Sequence, residues 1–96
     1  MTDVTHNKTD NTFEIVSDEG TAFVEYVLDG NEIRFTHTEV PPALEGRGIG
    51  SKLAKAALEH AKEKGLTVVP LCAFIAAYVK RHGEYDDLVH ADYRGK

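Results

Sequence analysis

From Thr12 onward the chain alternates apolar and polar positions with a period of two, the pattern of strands with one buried face. Phe13 and Ile15 share a face of the first predicted strand, and Asp18-Glu19-Gly20 supplies the turn after it. A second strand is predicted over Thr21–Leu28, with Ala22, Val24, Tyr26 and Leu28 on one face and Phe23, Glu25 and Val27 on the other. Asp29-Gly30-Asn31 is a hairpin signal. The third strand, Glu32–Val40, is expected to set Ile33, Phe35 and His37 on one side and Arg34, Thr36 and Thr38 on the other. These three strands form an antiparallel meander, which Pro41-Pro42 ends because proline donates no ladder hydrogen bond.

The period then changes. Gly48–Lys64 is rich in Ala, Leu, Lys and Glu, and Ile49, Leu53, Ala56, Ala57 and Ala61 make a stripe at helical spacing, with Gly65 as the stop. Leu66–Leu71 is a short apolar run suited to a strand covered on both faces. Ala73–His82 reads as a second helix, with Phe74/Tyr78 and Ile75/Val79 paired at i,i+4, and a short strand is expected around Tyr85–Val89. Before Thr12 the residues are polar, so 1–11 is expected to be a disordered arm and 12–96 a single domain. The expected class is α+β: a mixed sheet of three strands, helix, strand, helix.

Composition narrows the function. The chain of 96 residues fits one domain, and 42% hydrophobic residues is a globular share. Cys72 is the single cysteine, so an intrachain disulfide is impossible and a reducing, cytoplasmic location is expected. No apolar run approaches the roughly 20 residues of a membrane span. A net charge of −5 disfavours general nucleic-acid binding but permits a small anion at a local positive site. The five histidines show no close metal spacing and there is no second cysteine, so no metal is expected.

The most informative segment is Leu44-Glu45-Gly46-Arg47-Gly48-Ile49-Gly50-Ser51-Lys52-Leu53, where the meander hands over to the longer helix. A helix N-terminus offers unpaired N–H groups to a phosphate, and glycines let the backbone approach the anion. The same glycines also suit a tight turn serving geometry alone, which would leave a small interaction domain. A Walker loop is absent, and the dinucleotide fingerprint fails because Leu53 stands where its third glycine belongs.

Gly46–Leu53 resembles the acetyl-CoA pyrophosphate loop of the GCN5-related N-acetyltransferases, whose pattern is Arg/Gln-x-x-Gly-x-Gly/Ala. His37-Thr38-Glu39-Val40-Pro41-Pro42 before the loop and Val69-Pro70-Leu71-Cys72-Ala73-Phe74 after the helix are similar to blocks of the short, stand-alone branch of that superfamily. Glu45 departs from the pattern, occupying the position where the family carries Arg or Gln. The resemblance spans about Thr12 to Tyr85. It implies a minimal fold of that family and acetyl-CoA as co-substrate, with transfer to an unidentified amine or, alternatively, CoA binding with little transfer. It also implies cofactor contacts from Val40, from the amides around Gly46, Gly48, Ile49 and Gly50, and from Phe74, while by their own chemistry Ser51 is a candidate hydroxyl donor and Arg47 and Arg81 are candidates to neutralise the phosphates.

Four residues are candidates for the chemistry. Glu39 and His37 are candidate bases, although a strand-end charge is often only solvated and His37 shares its expected face with Ile33 and Phe35. Cys72 falls between a strand end and a helix start, where a thiol becomes nucleophilic, but a lone cysteine is also a common small core residue. Tyr78 is the family-like candidate for protonating the leaving thiolate, at longer spacing from Gly83 than the family shows and with Glu84 replacing the usual Phe. The acceptor amine is not encoded in any motif, and an open sheet edge is compatible with a monomer or a weak homodimer.

Overall fold

The computed structural model describes residues 4–94. A five-stranded sheet runs in sequence order: β1 (Thr5–Asn7), β2 (Thr12–Ser17), β3 (Gly20–Asp29), β4 (Glu32–Glu39) and β5 (Thr67–Pro70). The first four strands are antiparallel neighbours, and β5 joins β4 in parallel after a helical crossover, as a parallel pair requires. Helix α1 (Ile49–Lys64) makes the crossover and α2 (Ala73–Arg81) follows β5. A 3₁₀ turn at Pro42–Leu44 joins β4 to the glycine loop, with Leu44 buried. This is the expected α+β arrangement. No helix among the described residues is long and apolar enough to cross a membrane.

Both helices pack on one face of the sheet and touch each other. Phe13, Ile15, Ala22, Val24, Ile33, Phe35 and Val68 from that face join Leu53, Ala57, Leu58, Ala61, Ile75 and Val79 of the helices in one buried cluster. The opposite face stays open, with Val16 65% and Val27 47% exposed.

Three expectations are corrected. The polar arm is not wholly disordered: Thr5–Asn7 adds an edge strand to β2, because His6 lays its ring on Phe13 at 4.2 Å and bonds the Tyr26 hydroxyl through Nε2 at 2.6 Å. Residues 1–3 of that arm lie outside the described residues. The C-terminal segment is not a strand but a 3₁₀ helix over Gly83–Leu88, leaving Val89 as a single parallel bridge to Val68. The third correction is to the faces of β4. Glu25 pairs with His37 while Tyr26 pairs with Phe35, so Thr36 is a bulged residue without a cross-strand partner. The insertion shifts the alternation by one. Thr38 and Val40 face the helices, whereas His37 swings to the open face beside Phe23, 5.9 Å between ring centroids, and is not buried with Ile33 and Phe35.

Candidate functional site

The β4–β5 ladder ends at Phe35 and Pro70, and among the described residues the Cys72 N–H to Phe35 C=O bond of 2.9 Å is the last backbone bond between the two segments. Beyond it β4 continues to Glu39 while the chain after β5 turns away into α2. The N-termini of both helices meet at this gap, where the Phe74 ring lies over Gly50 so closely that a Cβ there would sit 2.7 Å from its Cζ. The result is a cleft of about 400 Å³ lined by Thr38, Val40, Leu44, Glu45, Gly46, Gly48, Ile49, Gly50, Ser51 and Phe74.

The loop conformation explains its glycines. Gly46 and Gly48 have φ of 82° and 73°, the left-handed region that other residues rarely adopt, and a Cβ on either would meet open space. Gly48 is the N-cap of α1, so no side chain caps the helix. The first intrahelical backbone bond runs from Lys52 N–H to Gly48 C=O. The amides of Ile49, Gly50 and Ser51 precede it, and such amides at a helix start have no intrahelical acceptor. They sit in the cleft lining and carry the positive end of the α1 dipole.

Of the residues singled out in the sequence, Val40, Gly46, Gly48, Ile49, Gly50, Ser51 and Phe74 come together in this lining. Arg47 does not: it is exposed and ion-paired with Glu19 of the β2–β3 turn at 2.9 Å. Arg81 is exposed in the last turn of α2, outside the lining. Cys72 is buried at the N-cap of α2, with its Sγ 3.2 Å from the hydroxyl of cleft-lining Thr38. Glu39 lies on the open face with His37, 3.4 Å from its Nε2.

Tyr78 is also outside the lining. Phe74 points at the start of α1, whereas Tyr78, one turn later, is 5% exposed and stacks on His82 at 4.1 Å beside Tyr85. Burial, and secondarily the Glu84 carboxylate, pushes its phenol above the ordinary tyrosine value. Sequence reasoning placed Thr38 on the wrong face and did not mark Leu44, whose only signal was its apolar character next to the glycine loop.

A family profile described as GCN5-related N-acetyl-transferase matches residues 12–88. Protein NATD1 from chicken and from mouse are each 50% identical over 46 residues, and the match covers 48% of this chain but 42% of each relative. The chain thus spans less than half the length of those relatives. Zebrafish Protein NATD1 is 35% identical over 88 residues, covering 85% of this chain and 79% of that protein. The solution structure of a GCN5-like protein from Staphylococcus aureus superposes with a TM-score of 0.74 at 34% identity, covering 92% of this chain and 87% of that one. The chain belongs to the GCN5-related N-acetyltransferase family.

Proposed function

We propose that the protein is an acetyl-CoA-dependent N-acetyltransferase, with the pyrophosphate of acetyl-CoA seated on the N-terminus of α1. The observation that supports this most directly is the uncapped, glycine-lined helix start opening into a cleft between parting strands. The exposed Gly46 and Gly48 leave room where side chains would obstruct an anion, and the adjoining amides supply its donors. Past Phe35 the inner edge of β4 has no β5 partner, so its backbone groups at Thr38 and Val40 are placed to pair with an extended pantetheine arm. Phe74 covers the apolar side of the cleft.

Acetyl transfer forms a C–N bond at the amine, breaks the thioester C–S bond, and leaves a thiolate that takes up a proton. The proton-bearing groups nearest the inner end of the cleft are the Thr38 hydroxyl and the Cys72 thiol. Glu39 and His37 lie on the other side of the same strand, from which an amine would approach and lose its proton. A single unpaired cysteine suits a reducing compartment such as the cytoplasm.

A specific observation favours a second reading, CoA binding with little transfer. Glu45 is the sole ordinarily titratable side chain lining the cleft, and Tyr78 is packed away from it. Thermal unfolding with and without acetyl-CoA tests the site first. At a hundredfold excess over Kd the ligand should stabilise by about 2.7 kcal/mol, which raises Tm by roughly 10 °C or more in a domain of this size. Gly50→Glu should abolish the rise. Release of free CoA thiol in the presence of amines then separates the readings: turnover supports the transferase, and tight binding without turnover supports the binding module. No shift with saturating acetyl-CoA overturns both.

A further inference from the structure

Helix α1 carries a second cavity at its opposite end. It encloses about 380 Å³, at the lower end of the roughly 300–1,000 Å³ typical of small-molecule sites. Ten residues separate Gly50 from His60, which places the two sites roughly 15 Å apart along the helix. The walls are apolar: Tyr26, Leu66 and Leu28, the last 53% exposed although it lies on the helix-side face of β3. Leu28 lines the cavity together with His60 and Lys64 of the last turns of α1.

The rim is basic. His6, Lys8, His60 and Lys64 all line this cavity and no carboxylate does, in a chain whose net charge is −5. Neither lysine pairs with a carboxylate among the described residues. The histidines are held in place by one another, with ring centroids 4.6 Å apart, and by Tyr26, whose hydroxyl meets His6 Nε2 at 2.6 Å. Two of the terminal carbonyls of α1 are occupied, since Leu66 N–H donates to Ala61 C=O and Gly65 N–H to Lys62 C=O. What remains of the negative end of the helix opposes an anion there, so the basic side chains on the rim must carry its charge.

We infer that this cavity is a second ligand site, which takes a small organic anion with an apolar body, a carboxylate on a short hydrocarbon being the simplest form. The apolar part covers Leu28, Leu66 and the Tyr26 ring, and the charge lies among Lys8, Lys64, His6 and His60. The site is separate from the acetyl-CoA cleft and does not depend on that reading. Burial lowers the pKa of both histidines, aided for His6 by His60 and then Lys8, and for His60 by Lys64 and then Lys8. Bringing an anion among them reverses that balance, so binding takes up protons. The other titratable groups around the pair are Tyr26 from β3 and Glu59, Lys62 and Glu63 from α1, with Glu63 opposing the lysines at His60.

The test is an amide chemical-shift titration of the full chain with hexanoate, using 1-hexanol as the uncharged match and acetyl-CoA present to fill the other cleft. The expected result is saturable shifts at His6, Lys8, Leu28, His60, Lys64 and Leu66. Affinity should be at least tenfold weaker for hexanol and for the Lys8→Gln/Lys64→Gln protein, and should tighten from about pH 8 to pH 6, where free histidine titrates. Equal binding of hexanol, shifts confined to the glycine loop, or no saturable shift at millimolar hexanoate each overturns the inference.

Discussion

Replacing Gly50 with alanine sets two effects of known sign against each other. Gly50 is the second residue of α1, and its φ lies outside the left-handed region, so alanine is conformationally acceptable there. Helix propensity favours alanine by up to about 1 kcal/mol, less at a helix end than in the interior. Against this, the new methyl carbon would lie 2.7, 3.1 and 3.4 Å from three atoms of the Phe74 ring. Ordinary carbon contact is about 3.5–4.0 Å, so the ring must retreat by roughly 1 Å. Phe74 is only half-buried and can swing toward the cleft, which keeps the stability cost near 1 kcal/mol, at the low end for overpacking. The displaced ring then occupies space the ligand needs. Stability should therefore change by about 1 kcal/mol or less, while acetyl-CoA affinity falls at least tenfold, about 1.4 kcal/mol. Urea unfolding measures the first and isothermal titration the second. Adding Phe74→Leu should recover part of the affinity, since the smaller side chain removes the collision. An unchanged Kd for Gly50→Ala in a normally folded protein would refute the argument that the Gly50–Phe74 contact shapes the cleft.

Three further outcomes follow from the packing. Gly48→Ala should cost about 1–2 kcal/mol in urea unfolding purely through its left-handed backbone, since the added methyl meets nothing, and Gly48→Asn should cost less. Tyr85→Phe removes a 2.7 Å hydrogen bond to the Glu59 carboxylate from a ring 3% exposed; stability should fall by about 1 kcal/mol with an unchanged m-value, because the exposed Glu59 recovers water. In acid, His6 and His60 both have folded pKa values below the ordinary 6.5. The unfolded chain therefore binds more protons below that value, and stability should decline as pH falls from about 6.5 through the folded pKa values. The His6→Gln/His60→Gln protein should show a flatter decline over that window in thermal unfolding.

Local chemistry made most of the fold legible. The predicted third strand, Glu32–Val40, and the observed β4, Glu32–Glu39, differ by one residue, as do the predicted helix from Gly48 and the observed α1 from Ile49. The glycine loop was legible because left-handed backbone at Gly46 and Gly48 restricts what residue can stand there. What escaped depends on distant partners. Nothing in the residues around His6 marks a strand; its stabilisation comes from Phe13 and Tyr26. Tyr85–Val89 has strand composition, but Tyr85 is held by Glu59 of α1 and only Val89 reaches β5. The candidate chemistry was the least legible part. Tyr78 and Arg81 share a helix with Phe74, yet sequence spacing does not say which turn of that helix faces the cleft.

The bulge at Thr36 has a consequence for how this site tolerates change. A side chain at that position touches little beyond Glu25, through hydrogen bonds of 3.3 Å from its hydroxyl, so substitution there should be mild. Straightening the bulge, so that the residue is kept and takes a place in the ladder, is a different operation. With unbroken alternation, His37 and Glu39 would turn inward against α1 and α2, and Thr38 and Val40 would turn out to the open face, inverting the cleft floor without altering any residue that lines it. The floor of the cleft is thus specified by one skipped residue between Phe35 and Thr38, in the manner of a reading frame: excising Thr36 itself would leave Thr38 and Val40 inward, whereas one further residue inserted there would turn them out.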